Sequence, residues 1–310
     1  TYLWLRGGYN RFTDTENRHL TIFDFTEGTL DPASASADGA TYTALRRYGR
    51  RLRMREKDQE VSAFTLGGEK TLGAWKIDAQ AGYTKGEERR PDELTARFRR
   101  NTRDAVIRYD TDGPYHVAIT QLAGASYLLP SSYNFQRVDL ANETGSETES
   151  GAGFNARYDF GDGHRPSYVK FGALFRAKEK ESEGEAYELT GAPASFTFAN
   201  LATDAGEYPY LPVPRLNPGA VRDAFYANRS AFTGDRVFED SEFEDFSLSE
   251  DVLAAYVMGG TSLGRLNLLG GLRVERTKFS TTGRQLDLDT ETATWATASR
   301  NYTNWLPGVH

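Results

Sequence analysis

The sequence predicts an all-β fold, an antiparallel transmembrane β-barrel segment of about eight strands, with short periplasmic turns at one end and long extracellular loops at the other. Three observations predict it. Apolar residues recur at every second position over long stretches, the period of a strand with one buried or lipid-facing side. The connections between these stretches fall into two unequal classes, a few residues or several tens. The composition, with Tyr 17, Phe 18 and Gly 30 against Met 2, favours strands and turns over helices.

The clearest strand begins near Tyr168. Val169, Phe171, Ala173, Phe175 and Ala177 fall on one face, and Lys170, Gly172, Leu174, Arg176 and Lys178 on the other. Before it, Ala152, Phe154, Ala156, Tyr158 and Phe160 alternate with Gly153, Asn155, Arg157 and Asp159, and the turn-rich residues 161–166 close a hairpin. A second hairpin pairs residues 56–70 with Trp75, Ile77, Ala79, Ala81 and Tyr83 through a tight turn near Leu72-Gly73. A third pairs residues 249–262, apolar on both faces, with Leu266, Leu268, Gly270, Leu272 and Val274 through Leu263-Gly264-Arg265. Residues 2–10 and the stretch after Asn301 bring the expected number to about eight.

The connections decide between a soluble sandwich and a membrane barrel. Residues 11–55, 90–146, 183–245 and 280–300 are read as long excursions. Loops beyond ~12–15 residues are uncommon in compact soluble domains, whereas short turns on one side and long loops on the other mark outer-membrane barrels. Register should be strongly specified. A one-residue slip of the strand after Tyr168 would turn Lys170, Arg176 and Lys178 into lipid, at ~2–4 kcal/mol per cation at the midplane.

Bulk properties exclude several functions. A net charge of −7 gives no sign of a nucleic-acid partner. Without cysteine there is no thiolate zinc site, disulfide framework or cysteine nucleophile. His19, His116, His164 and His310 are scattered without metal-ligand spacing, and no catalytic motif, metal site or cofactor site is expected. Mean hydropathy is −0.61, with no apolar run long enough for a membrane helix, as a barrel that is apolar only at alternate positions allows. The chain opens on the apolar Thr1-Tyr2-Leu3-Trp4-Leu5 and stops at Pro307-Gly308-Val309-His310, so it is read as an internal piece of a larger barrel.

Several constellations are candidate sites. Arg46, Arg47, Arg50, Arg51, Arg53, Arg55 and Lys57 form a basic run that could meet lipopolysaccharide phosphates or an anionic ligand; a solvated loop base is the reading favoured. Glu239, Asp240, Glu242, Glu244, Asp245, Glu250 and Asp251 form an acidic run without calcium-loop grammar, also read as a solvated loop base. Tyr208 and Tyr210, within Tyr208-Pro209-Tyr210-Leu211-Pro212, lie in the longest excursion and are the candidate ligand contacts. Arg157, Lys170, Arg176, Arg273 and Glu275 are expected to line the lumen, mostly bonded across the wall.

The stretch Ser249-Glu250-Asp251-Val252-Leu253-Ala254-Ala255-Tyr256-Val257-Met258-Gly259 is followed by Leu268-Leu269-Gly270-Gly271-Leu272-Arg273-Val274-Glu275-Arg276-Thr277 and then by Asn301-Tyr302-Thr303-Asn304-Trp305-Leu306-Pro307-Gly308-Val309. In order and spacing they resemble the barrel of TonB-dependent outer-membrane receptors. The resemblance implies that residues 1–310 are part of such a barrel domain, without its plug domain and C-terminal strands. It implies uptake of a scarce nutrient across the outer membrane of a Gram-negative cell, powered through TonB, with no covalent chemistry. Outer-membrane lipid, lipopolysaccharide and a small nutrient ligand are the other expected partners; siderophore and carbohydrate are among the ligands left open. A passive porin and a soluble β-rich binding module are the alternatives.

Overall fold

A computed structural model describes residues 1–113, 117–161, 167–203 and 213–310. Eight long strands form one meandering antiparallel sheet, each paired with its neighbours in chain order. They are β1 (Tyr2–Asp24), β2 (Gly39–Leu72), β3 (Trp75–Asp110), β4 (Asn134–Phe160), β5 (Ser167–Leu189), β6 (Phe246–Leu263), β7 (Leu266–Asp287) and β8 (Thr292–Val309). The sheet is open, with β1 and β8 at its edges.

Two of the hairpins close in two residues. Leu72 pairs with Trp75 and Leu263 with Leu266, leaving Gly73-Ala74 and Gly264-Arg265 as the turns. Gly73 and Gly264 have φ of 59° and 65°, which a glycine adopts without a Cβ clash and which suits tight hairpins. The turn between β4 and β5 falls mostly in residues 162–166, outside the described residues.

Register carries the alternation across the whole sheet. Leu3, Gly68, Ala79, Phe154, Ala173, Ala255, Val274 and Trp305 lie in one cross-strand row, and all are uncharged. The face they mark exposes Leu5, Phe64, Leu66, Phe171, Phe175, Leu253, Val257 and Leu272. Large exposed apolar areas are rare on soluble proteins, and a continuous one meets lipid or a partner. Below, Lys70 beside the turn is a charged residue at this face's positions; above, Arg11, Glu60, Lys85, Glu179, Asp251 and Arg276 end the band. On β3 the apolar zone runs from Trp75 to Tyr83. At ~3.3 Å per residue and a tilt of ~35–45° it stands about 20–25 Å tall, close to the ~25 Å band of outer-membrane barrels. Aromatics gather at its turn end, where Trp75 lies 4.9 Å from Tyr158 and 6.3 Å from Phe171.

The strands continue well past the band. β2 has 34 residues and β3 has 36, against the ~9–11 that a tilted span needs. Three of the four sequence-predicted excursions, 11–55, 90–146 and 280–300, are therefore mostly strand, while 183–245 is mostly connection. The connections that remain are residues 25–38, 111–133 and 190–245, while β7 and β8 join through residues 288–291 alone. Leu52-Arg53-Met54 and Ala96-Arg97-Phe98 keep strict alternation, and this holds them in the ladder.

A bulge at Asp92, φ 52°, resets one strand. Up to Arg89 the odd residues of β3 share the apolar face; beyond the extra residue the even ones, Leu94, Ala96 and Phe98, take that place opposite Met54, Leu52 and Arg50. There the face is no longer exposed. It is covered by the 190–245 segment, which folds helices α1 (Phe198–Leu201), α2 (Pro218–Ala227) and α3 (Phe238–Phe243). Asn217 caps α2 by accepting from the Ala220 N–H, Pro218 opens it, and Val221 and Phe225, one turn apart, face inward. Phe98 packs 5.8 Å from Phe196 and 5.7 Å from Phe198, and Phe232 lies 4.8 Å from Phe225, within a core that includes Tyr48, Leu52 and Met54.

Candidate functional site

Opposite the apolar band lies the polar face, which in a closed barrel is the lumenal one. Near the turns, register places Lys76, Arg157 and Lys170 in one row. Arg157 bonds to Asp159 at 2.6 Å and stacks 3.8 Å over Tyr168, while Asp159 also takes Lys76 at 2.9 Å. Higher, Arg176 donates to Glu250 at 2.8 Å, and Arg273 Nε donates to Glu275 at 2.7 Å. Of the five sequence-predicted wall residues, four are thus held by carboxylate partners or by each other, and Lys170 stands beside Arg157. Tyr256 reaches over Gly172 and donates from its hydroxyl to Asn155 at 2.6 Å. A Cβ at Gly172 would meet Tyr256 Cε1 at 2.6 Å, so only glycine allows this crossing.

The basic run is not a loop base. It is strand β2, and alternation sends Lys57, Arg55, Arg53, Arg51 and Arg47 to the polar face while Leu52 and Met54 enter the distal core. The Asp92 bulge brings Arg97 and Arg99 to the same face. Arg51, Arg97 and Arg137 then stand directly opposite one another on three neighbouring strands. Side chains so placed have Cβ atoms ~4.5–5.5 Å apart, and like charges there are destabilising unless neutralised. Asp139 pairs with both Arg97 and Arg137, and Glu188 also takes Arg137. Arg53 forms a two-point pair with Glu93, at 2.6 and 2.9 Å. Below them Arg55 meets Glu16 at 2.9 Å and Lys57 meets Glu88 at 2.7 Å. Burial, and next the Arg97 guanidinium beside it, hold Arg51 below the ordinary guanidinium value. Glu88 goes the other way. Its burial works against ionisation, but hydrogen bonds from Lys57, Gln59 and Arg90 hold it down at about 2.

The basic run had been visible as charge, but its alternation Arg51-Leu52-Arg53-Met54-Arg55 was the signal that it is wall. Arg97 and Arg99 carry no signal of their own, because the bulge sets their facing, whereas Arg137 shares the parity of Arg157 along β4. The acidic run is likewise not solvated throughout. Glu242, in α3, is buried; Arg236 binds its carboxylate at 2.9 Å and Arg284 binds the other oxygen. Tyr226 of α2 hydrogen-bonds to Asp92 on the bulge, and burial together with that carboxylate pushes its phenol up to about 12. Tyr208 and Tyr210 lie outside the described residues.

The model of the outer membrane protein beta-barrel family matches residues 221–310, which include β6, β7 and β8. No curated protein matches the chain. Among solved structures it is similar to the ferric-catecholate import receptor Fiu from E. coli K12, in its closed form, at 11% identity and a TM-score of 0.33. That alignment covers 99% of this chain and 46% of the receptor, so the chain spans less than half of that structure's length. With a lipid-height apolar band on one face and a charged wall on the other, the protein is an antiparallel transmembrane β-barrel segment of the Gram-negative outer membrane.

Proposed function

We propose that the chain forms part of the barrel of a TonB-dependent receptor that imports a scarce nutrient without covalent chemistry. The observation that carries this reading is the wall beyond the membrane. β2 and β3 run through more than three times the length of a span, and their distal halves bear a dense ionic face under a packed lobe. A passive pore needs little of that; a receptor that must hold a dilute solute outside the membrane needs a deep, chemically specific vestibule. The three motif stretches also support it. They fall on adjacent strands in one register, with Tyr256 opposite Arg273 and Arg273 opposite Leu306. TonB, outer-membrane lipid and lipopolysaccharide are the proposed partners, and Tyr208 and Tyr210 the proposed aromatic contacts to the ligand.

The test expresses the full-length protein in cells with and without an active TonB system and measures uptake of candidate solutes. Saturable uptake that disappears without TonB is the expected result. Non-saturable uptake that persists without TonB would assign the barrel to the passive channels instead.

A further inference from the structure

We infer that the distal row Arg51, Arg97 and Arg137, with Arg99 beside it, is a subsite for a small polyanionic solute, one carrying two or more phosphate or carboxylate groups. The inference rests on the transport reading and names the class of solute that the wall would recognise.

The reason is a contrast within one face. Elsewhere on the wall most cations have a carboxylate of their own: Arg53 has Glu93, Arg55 has Glu16, Lys57 has Glu88 and Arg176 has Glu250. In the row, Asp139 is shared by Arg97 and Arg137, with Glu188 as the next acceptor on Arg137. Arg51 and Arg99 have no carboxylate within salt-bridge distance among the described residues. Four guanidiniums, Arg51, Arg97, Arg99 and Arg137, therefore face two carboxylates, Asp139 and Glu188. Sequence did not have to place three arginines in register, since cross-strand like charges cost stability. An anion with two or more charges removes that cost and gives Arg51 and Arg99 the acidic oxygens they lack.

Geometry agrees with the charge. Three neighbouring strands set the outer two arginines of the row ~10 Å apart, the reach of a molecule with several anionic groups. Guanidinium forks match phosphate and carboxylate oxygens in pairs, which ammonium groups cannot do. Gly49 lies directly opposite Arg99, and the Ile22 side chain of β1 lies over the glycine. The row also sits beyond the band on the polar face, where an entering solute would meet it before the membrane. Lipopolysaccharide phosphates are on the other side of the wall.

The experiment titrates the full-length protein in detergent with citrate, pyrophosphate and, as an uncharged probe, raffinose, at low and at high salt. Saturable binding of citrate or pyrophosphate is expected, weakened by salt, with none for raffinose. R51Q/R97Q should weaken it roughly ten-fold or more, and R51K/R97K, which keeps charge but loses the fork, by a smaller factor. Should the double glutamine variant fail to fold, R99Q and R51K/R97K carry the same reading. No saturable binding by the unaltered protein, or equal affinity in the folded variants, would overturn the subsite. TonB-dependent uptake of some other solute alongside that result would leave the transport reading intact. Polyanion binding together with TonB-independent uptake would overturn the transport reading alone.

Discussion

The lower and distal halves of this sheet are made of the same strands, yet one face meets two different surroundings. Near the turns Phe154, Phe171 and Phe175 are 41–44% exposed, as side chains meant for lipid are in the absence of lipid. Higher on the same face Phe98 is 1% exposed and Tyr48 fully buried, under a lobe made by residues 190–245. The alternation is the same, but the source of stability differs. In the band the ladder and the bilayer hold the fold, and a side chain there need only be apolar. In the distal half protein packs on protein, so shape matters as well. The other face changes in parallel, from sparse, paired charges to a crowded arginine row.

The largest effect expected of a single substitution follows from this difference. Phe98→Ala leaves a cavity among Phe135, Phe196 and Phe198, and large-to-small changes at such aromatic positions cost ~3–5 kcal/mol. Phe154→Ala in the band should cost much less, because lipid or detergent closes over the gap. Denaturant unfolding in micelles measures the difference, and hydrogen exchange locates it: amides around Leu52 and Leu94 should speed up in the first variant, with those around Ala79 unchanged. Equal losses from the two would mean that the distal lobe is not a packed core.

Charge reverses the ranking. Phe175→Arg puts a guanidinium on the lipid face, one alternate position from the middle of the band, and should destabilise by ~2–4 kcal/mol if that position lies at the midplane. Arg176→Leu, next in sequence but on the other face, removes a half-exposed pair with Glu250 and should cost about 1 kcal/mol or less. The comparison is made by unfolding in lipid bilayers. Similar effects from both would contradict the register of β5.

Much of the lower half was legible in the sequence because lipid demands a simple pattern. Val169, Phe171, Ala173 and Phe175 could be assigned to one face by counting in twos, and the strand register agrees. The distal half obeys the same period, but its outer residues alternate with arginines, so Arg51-Leu52-Arg53-Met54-Arg55 read as a charged run. Counting also fails across Asp92. A parity carried up from Trp75 would have sent Arg97 into the core, and a bulge leaves no local mark stronger than one Asp in the left-handed region. α2 had readable signals in Asn217, Pro218 and the Val221–Phe225 spacing, but they sat inside an excursion read as loop. The arginine row was out of reach, since it joins three strands that only the register aligns.

The smallest effect tests the boundary between the halves. Glu88 stands on the polar face just above the band, bonded to Lys57, Gln59 and Arg90. Burial disfavours its charge, but these partners outweigh it and hold the carboxyl at about 2, below its ordinary 4.5. A carboxyl with a depressed folded-state pKa binds fewer protons when folded than when unfolded. Its contribution is therefore complete above pH 4.5 and lost as pH falls from there through about 2. Glu88→Gln keeps the size and removes the charge. At neutral pH the variant should be less stable by about 1 kcal/mol or less, as partly solvated ion pairs contribute little. As pH falls from 4.5 toward 2 the two proteins should converge, because the unaltered one loses what the variant never had. Unfolding midpoints in non-ionic detergent, measured across that window, decide it. Parallel curves would show that Lys57 and Arg90 do not hold Glu88 ionised, and that the ionic wall begins higher on the strands than Glu88.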